Sequence, residues 1–413
     1  MTTNHNYNKP RKGAVNWDEP LNDNFDSLDT DVEVRDVESS LDDYSPKSGA
    51  KFFAVDTGGV FIGDGSTWNF VGEVGASSSG SGDGTAPQAA DWVVSSDAEM
   101  QEAANNARDG DFIYVSSGFE GGGYRFEDLI ELTIMGQHWR NTQIDSRDQT
   151  IFEFDHCHHT RLSRLHLNGR HVNPEPLVAF RASSPHYSQY IHDCRFGESL
   201  GDGVLWETIH DSTIHRCEFF ALGDASQDTY NLRIEGGRSF ARGNQIADCR
   251  FERNATTSTP AGLLYMSNLQ QSAIRGCKFH EGRTESPVGM LVSGGGNQRT
   301  HLVGDYFFAD LRSDLVNWND NDKGVISSCL FYGDADTGLI TGDNKTVSSC
   351  LFDGGMNRAI DAGSRNLIIG NQITASSEAI RTTGADNLVA INSTAQGGGS
   401  INLSSGTING LNI

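Results

Sequence analysis

Four carboxylates and three aromatic rings lie close together in one stretch of the chain: Glu207, Asp224, Asp228 and Glu235, with Trp206, Tyr230 and Tyr265. Two carboxyl groups about 5 to 9.5 Å apart can cleave a glycosidic bond, and flat rings can stack on sugar faces. Any such pair must be assembled by neighbouring turns of chain, because no local motif joins these residues. With 55 acidic residues in the chain, two or three will adjoin by chance. The residues therefore favour glycan binding over cleavage and leave an active carboxylate pair open.

Two further groupings bear on metals. His156, Cys157, His158 and His159 run together, with His166 and His171 nearby, and His156 and His158 would share one side of a strand. Nothing in this spacing demands a tetrahedral ligand set, so surface or turn histidines are expected and no metal site is assigned. NWNDNDKG, from Asn317 to Gly324, and more weakly GDGS from Gly63, place oxygen ligands at alternate positions. Calcium is the cation such a loop would take, but both lack the terminal Glu, so polar turns are expected and no cofactor is assigned. No phosphate loop, dinucleotide fingerprint or nucleophile elbow is present.

The elements that would position these residues are set by a repeat. An aliphatic residue, two variable residues, a small residue, one variable residue and an aromatic or aliphatic residue recur as IHDCRF from Ile191, IHRCEF from Ile214, IADCRF from Ile246 and IRGCKF from Ile274. LVGDYF from Leu302, ISSCLF from Ile326, VSSCLF from Val347 and the weaker IIGNQI from Ile368 continue it, and LSRLHL from Leu162 is a degenerate early copy. The small-residue position falls at Cys194, Cys217, Cys249, Cys277, Asp305, Cys329, Cys350 and Asn371, with gaps of 23, 32, 28, 28, 24, 21 and 21 residues. A second strand-like piece lies between copies, as in GVLWE at Gly203, NLRIEG at Asn231 and GLLYMS at Gly262.

A period of this size marks a solenoid. The expected fold is all-β: a right-handed parallel β-helix over residues 91–413, with a small N-terminal helical and β-meander module. Aliphatic and aromatic ends of each hexad should point inward and stack on their equivalents about 4.8 Å away. The small position is expected where the chain bends, as a ladder of Cys194, Cys217, Cys249, Cys277, Cys329, Cys350 and Asn371; buried Cys acts there as a small hydrophobe, not a disulfide partner. Asp305 breaks the ladder and needs a partner if buried. The outward column between Cys and Phe turns apolar at Tyr306, Leu330 and Leu351, which are expected on a subunit interface. Long insertions at residues 222–230, 253–260 and 281–287 are natural recognition loops.

A helix over 97–108, with Asp97 as N-cap and Met100, Ala103, Ala104 and Ala107 as its apolar face, should cover the otherwise open first coil. Residues 75–90, GASSSGSGDGTAPQAA, have linker composition. Before them, residues 1–74 divide into a helix over 18–43, with Leu21, Phe25, Leu28 and Val32 as a docking stripe, and a β-meander over 51–72 carrying Trp68.

Composition narrows the function classes. Net charge is −24, with seven Lys among the 31 basic residues, so nucleic acid backbones are repelled and no nucleic-acid partner is expected. An acidic, Lys-poor surface also fits a high-salt habitat. No apolar run is long enough to span a membrane, so no membrane insertion is expected, and the N-terminus lacks a secretory pattern.

NWDEPLNDNFDSL together with FFAVDTGGVFIGDGSTWNFVG resembles the particle-attachment modules of tailed-virus fibre proteins. GDFIYVSSG and ELTIMGQHWRNTQI resemble pectate-lyase-like β-helices, phage tailspikes among them. With the acidic composition, the whole resembles a fibre or spike of a tailed virus of haloarchaea. That resemblance implies a homotrimer in the virion. Residues 1–74 would hold other baseplate, tail or capsid proteins, and the β-helix would contact a host surface glycan or S-layer-type glycoprotein. It leaves cleavage optional: a virion-borne polysaccharide depolymerase and a purely structural turret or tail component are the alternatives. One departure is that the sequence ends in INLSSGTINGLNI, still repeating, with no separate C-terminal domain.

Overall fold

The computed structural model describes residues 34–54, 59–73, 90–181, 185–223, 228–236, 241–253, 261–281, 290–309, 314–320, 323–374, 377–390, 393–394, 400–404 and 408–409. Leu21, Phe25, Leu28, Val32 and Asp224 lie outside them, as do most residues of the three long insertions. The chain divides into two units, Met1–Thr85 and Ala86–Ile413, and the division falls inside the linker expected at 75–90.

In the first unit, four strands form one sheet in chain order: β1 (Val34–Asp36), β2 (Lys51–Ala54), β3 (Gly59–Gly63) and β4 (Trp68–Glu73). β1 lies parallel to β2, while β2, β3 and β4 are antiparallel, as the meander reading requires. Val34, Phe52, Ala54 and Phe61 form its core, with Trp68 packed against them and donating through Nε1 to the Tyr44 carbonyl at 3.0 Å. The helix expected through residue 43 does not extend there. Residues 34–36 are strand and Glu38–Asp43 a 3-10 helix, because β1 gains a ladder and buries Val34 against Phe52.

The second unit is a parallel β-solenoid. Three long sheets run its length, one of 14 strands and two of 12. Sheet A, of 14 strands, collects the aliphatic arm of each hexad, as in Ile191↔Ile214↔Ile246↔Ile274↔Leu302↔Ile326↔Val347↔Ile368. Sheet B collects the aromatic arm, and sheet C the second strand-like piece, such as Val204–Glu207, Tyr230–Glu235 and Gly262–Ser267. Helix α1 (Asp97–Asn106) covers the first coil with Met100, Ala103 and Ala104 buried. Its N-cap is Ser96, not Asp97: Ser96 accepts from the Glu99 N–H, and Glu99 accepts in return from the Ser95 N–H and hydroxyl. Asp97 instead accepts from the Tyr124 hydroxyl at 2.6 Å.

Sheet B carries the most regular packing. Phe196, Phe219, Phe251, Phe279, Phe307, Phe331 and Phe352 stack one above another, with centroids 4.5 to 5.2 Å apart and planes within 15°. All are fully buried. Each such ring contributes about 1.5–3 kcal/mol of burial, and the inter-strand spacing makes the rings stack in register.

The corner between sheets A and B differs from the simple bend expected at the small residue. The bend is made one residue earlier, by Asp193, Arg216, Asp248, Gly276, Gly304, Ser328, Ser349 and Gly370, all left-handed with φ of 52 to 69°. The following Cys is the first residue turned inward. Its thiol approaches the aliphatic carbonyl of the coil below, as from Cys249 to Ile214 and from Cys277 to Ile246. Asn371 does the same with a stronger donor: Oδ1 accepts from the Cys350 N–H at 3.0 Å, and Nδ2 donates to the Val347 carbonyl at 3.1 Å. All seven cysteines are free and buried.

The opposite corner, just before sheet A, holds a second ladder. At the position two before each aliphatic residue, the side chains of Gln189, Ser212, Asn244, Ser272, Asn366 and Asn387 each accept from the backbone N–H one coil below, at 2.7 to 3.2 Å. An inward-turned buried N–H needs an acceptor, and these residues supply it. Lys345 fills the same position and sends its ammonium to the Asp320 carboxylate at 2.8 Å, the two side chains 0% and 5% exposed. Ser293 and Asn297 also donate to Asp320. The carboxylate at the centre of NWNDNDKG is thus turned inward onto a protein cation. In GDGS, Asp64 accepts from Ser66, Thr67 and Asn69, which together hold its carboxyl below the ordinary range.

Asp305 has its two oxygens on the Cys277 and Val303 N–H groups at 2.8 and 3.1 Å. Burial nevertheless pushes its carboxyl up to about 7. Between about pH 4 and pH 7 the folded chain holds a proton that the unfolded chain has released, so this group's contribution to stability falls as pH rises across that window. Asp305→Asn should therefore stabilise the fold at pH 8, by of order 2–4 kcal/mol at most, and raise the melting temperature there, and the gain should shrink toward pH 5. Thermal melts of both proteins at the two pH values check this. A difference independent of pH contradicts a carboxyl held protonated by burial.

Candidate ligand-binding face

On sheet C, inward and outward residues alternate, and the register decides which side chains are surface groups. Trp206 pairs with Phe180 and Ile234, and Ile234 with Met266. It belongs to the inward row and is 0% exposed, packed edge-on to Phe180, so the expected role as a sugar platform does not hold. Tyr230 is also buried, beneath Ala261 and Val292, with its hydroxyl on Asp228. Tyr265 is half-buried, 5.0 Å from the Tyr230 ring.

The carboxylates near them are drawn onto one guanidinium. Arg233 meets Asp202 at 2.8 Å, Glu235 at 3.3 Å and Asp228 at 3.7 Å, and lies over the Tyr230 and Tyr265 rings. Burial pushes the Asp202 carboxyl up to about 6, offset in part by Arg233. Asp202, which the sequence reading did not single out, anchors the group. Glu207 and Glu235 are direct register neighbours, so the structure does bring two of the four expected carboxylates side by side.

The outward column of sheet B runs Tyr306↔Leu330↔Leu351, all half-buried, flanked by His280, Phe308 and Tyr332 in the next column. Here the expected apolar strip exists and is wider than expected, because Phe308 and Tyr332 stack beside it at 5.5 Å.

A different face gathers the histidines. Of the 13 in the chain, His156, His158, His159, His186 and His210 fall on successive coils between sheet C and sheet A, and His192 and His215 follow on the adjoining strands of sheet A. His186 and His210 are buried. Short parallel pairings there bring His158, Tyr187, His210 and Arg242 into one column. His158, Tyr187 and His210 follow at 5.5 and 5.2 Å between ring centres, the second pair stacked, and Tyr187 is 41% exposed. The imidazoles are held by the backbone: the Tyr187 N–H donates to His158 Nδ1 and the Arg242 N–H to His210 Nδ1, both at 3.3 Å. Each ring must then carry its proton on Nε2. Burial lowers both pKa values, helped by His156 and His159 at His158 and by Arg242 at His210, so the rings stay neutral at neutral pH.

Beside this column lies a cavity of about 320 Å³ lined by His159, Arg161, Ser188, Tyr190 and His192. The Tyr190 and His192 rings are 4.7 Å apart. His192 and His215 are register neighbours on sheet A, as their shared hexad position requires. His192 Nδ1 sits 2.8 Å from Asp193, which also meets Arg216 at 2.7 Å. Burial works against the Asp193 carboxylate, yet His192 and Arg216 hold its pKa below the ordinary value. Rings, imidazoles and guanidinium around a shallow hollow form a surface suited to a polar ligand with flat faces.

The fold thus defines a parallel β-helix protein. No protein-family model and no curated protein sequence matches the chain. Among solved structures it is similar to ORF18 of Geobacillus virus E2, at 15% identity and a TM-score of 0.40 over 92% of this chain and 72% of that one. It is also similar to an alginate lyase from Paenibacillus sp. str. FPU-7, at 10% identity and 0.41 over 76% and 98%. A third is a DFA-IIIase from Arthrobacter chlorophenolicus A6 in complex with DFA-III, at 12% identity and 0.47 over 71% and 88%.

Removing Arg233 tests the buried group on sheet C. Arg233→Met should cost about 3–5 kcal/mol in urea unfolding, because Asp202 is left buried without its counter-charge. A cost under about 1 kcal/mol would show that Asp202 is neutralised some other way.

Proposed function

We propose that this chain is a fibre or spike component of a tailed-virus particle, holding it to a glycan or glycoprotein on the host surface. The observation that carries the reading is the ring-lined face of Tyr187, Tyr190, His158 and His192 on a rigid, in-register stack. An adhesive surface gains most when its contact groups are preorganised, and parallel ladders fix these rings before any ligand arrives. The N-terminal segment supports the reading by its resemblance to particle-attachment modules, which assigns residues 1–74 to other virion proteins. On this account the protein is assembled into virions and acts at the host cell surface.

Retention of purified protein on host cells tests adhesion. Tyr187→Ala with Tyr190→Ala should lower retention at least tenfold while leaving the melting temperature within a few degrees. Unchanged retention would remove this face from the account.

Glu207 beside Glu235 supports a second reading, a virion-borne depolymerase on the same β-helix. Register neighbours have the short separation a retaining pair needs. Reducing ends or unsaturated products released from host envelope glycan, and lost in Glu207→Gln, would establish it. Binding without product favours adhesion alone.

The proposal extends to a subunit contact. Tyr306, Leu330 and Leu351, with Phe308 and Tyr332, supply an apolar strip for a homotrimer, with Leu21, Phe25, Leu28 and Val32 as the second contact. Leu330→Glu with Leu351→Glu should shift the sedimentation mass from trimer toward monomer. A wild-type chain that sediments as a monomer would overturn the trimer.

A further inference from the structure

The 320 Å³ cavity beside Tyr187 is lined by a guanidinium and two imidazoles. Several exposed arginines elsewhere are matched to carboxylates: Arg125 to Glu127 and Asp155, Arg147 to Glu120, Arg170 to Asp145, Arg250 to Glu218 and Glu252. Arg161, like Arg140, Arg242 and Arg299, is in no ion pair among the described residues, but it alone of these lines the cavity. It is exposed, and among the described residues its guanidinium has no partner. Arg164, three residues on at the left-handed corner, is likewise exposed and in no ion pair among the described residues.

No carboxylate lines the cavity. The neighbouring Asp193 carboxylate is held by His192 and Arg216. The other lining groups are His159, the Ser188 hydroxyl, and the Tyr190 and His192 rings. A guanidinium fork matches a planar carboxylate or a sulfate with two parallel hydrogen bonds, and hydroxyl and imidazole groups add single ones. The Tyr190 ring in the lining and the exposed Tyr187 ring, next in the chain to Ser188, offer apolar surface for the face of a sugar.

We infer that this cavity binds the carboxylate or sulfate group of an acidic saccharide, with Arg161 gripping the anion and Tyr187 and Tyr190 covering the sugar ring. The inference rests on the adhesion reading and narrows it to a ligand class. It also gives a net-acidic protein a way to hold an acidic glycan: local positive charge at one cavity outweighs long-range repulsion once salt has screened the latter.

Calorimetry with the full-length chain, in the salt that keeps it folded, tests the site. Three probes are needed: oligogalacturonate for carboxylate, sulfated dextran for sulfate, and neutral dextran as the uncharged reference. Binding of one acidic probe but not of neutral dextran is expected, and the acidic probe that binds identifies the anion. Arg161→Gln should weaken binding at least tenfold, and Arg161→Gln with Arg164→Gln further still. Arg125→Gln, which removes a guanidinium already paired on another face, should bind as the wild type does. Circular dichroism melts show that each variant is folded. Failure of both acidic probes, equal binding of neutral dextran, or undiminished binding by Arg161→Gln would each overturn the inference. Retention on host cells keeps the two readings apart. Cells that hold Arg161→Gln as well as wild type leave adhesion standing and remove the acidic site. Acidic-probe binding without retention on cells does the reverse.

Discussion

Each coil of this protein depends on the one beside it to satisfy what it turns inward. Along the flat faces the demand is met by parallel ladders and by apolar rows such as the Phe196 to Phe352 stack. At the corners the ladders stop, and backbone N–H and carbonyl groups are left facing the interior. Two columns of side chains answer this. Thiols and Asn371 serve one corner, and Gln189, Ser212, Asn244, Asn366 and Asn387 serve the other. Because each acceptor serves the coil below, a shift of one residue would orphan a whole column of buried groups, and this fixes the register.

A fixed register turns sequence position into surface position. Outward residues at equivalent places in neighbouring coils must be neighbours in space. The same rule that stacks Phe279 on Phe307 inside lines up Tyr306, Leu330 and Leu351 outside, and places His192 beside His215. The surface groups are held by ladders rather than by their own contacts. Where a corner residue departs from the common chemistry, the interior adapts: Lys345 brings Asp320 with it, and Asp305 retains a proton near neutral pH.

Much of this was legible in the amino-acid order. The hexads were, because Ile, Cys and Phe recur as the same letters in the same place. The capping helix was, from Met100, Ala103 and Ala104. The second corner ladder was not, since Gln, Ser, Asn and Lys do one job with different letters. The bend was placed one residue late: the left-handed position holds Asp, Arg and Ser as well as Gly, and Gly304, where open space leaves only the dihedral to favour glycine, was a signal passed over. Trp206 was misread as a surface ring, although alignment with Ile234 and Met266 marks its position as inward. The His158, Tyr187 and His210 column escaped notice because it lies in connections of unequal length, where only the folded register brings it together. Residues 34–36 look helical within a longer acidic stripe but gain more from pairing with β2.

The central claim is that hexads lie directly above one another, coil upon coil. Paired cysteines on the outward column of sheet B test it most directly. Arg250→Cys with Lys278→Cys places two exposed thiols on register neighbours, whereas Arg250→Cys with Leu351→Cys separates them by four coils, about 19 Å. A short bismaleimide should bridge the first pair within one chain and not the second, while the seven native thiols stay unlabelled until the protein is unfolded. Equal bridging of both pairs, or rapid labelling of the native ladder thiols, would contradict the stack.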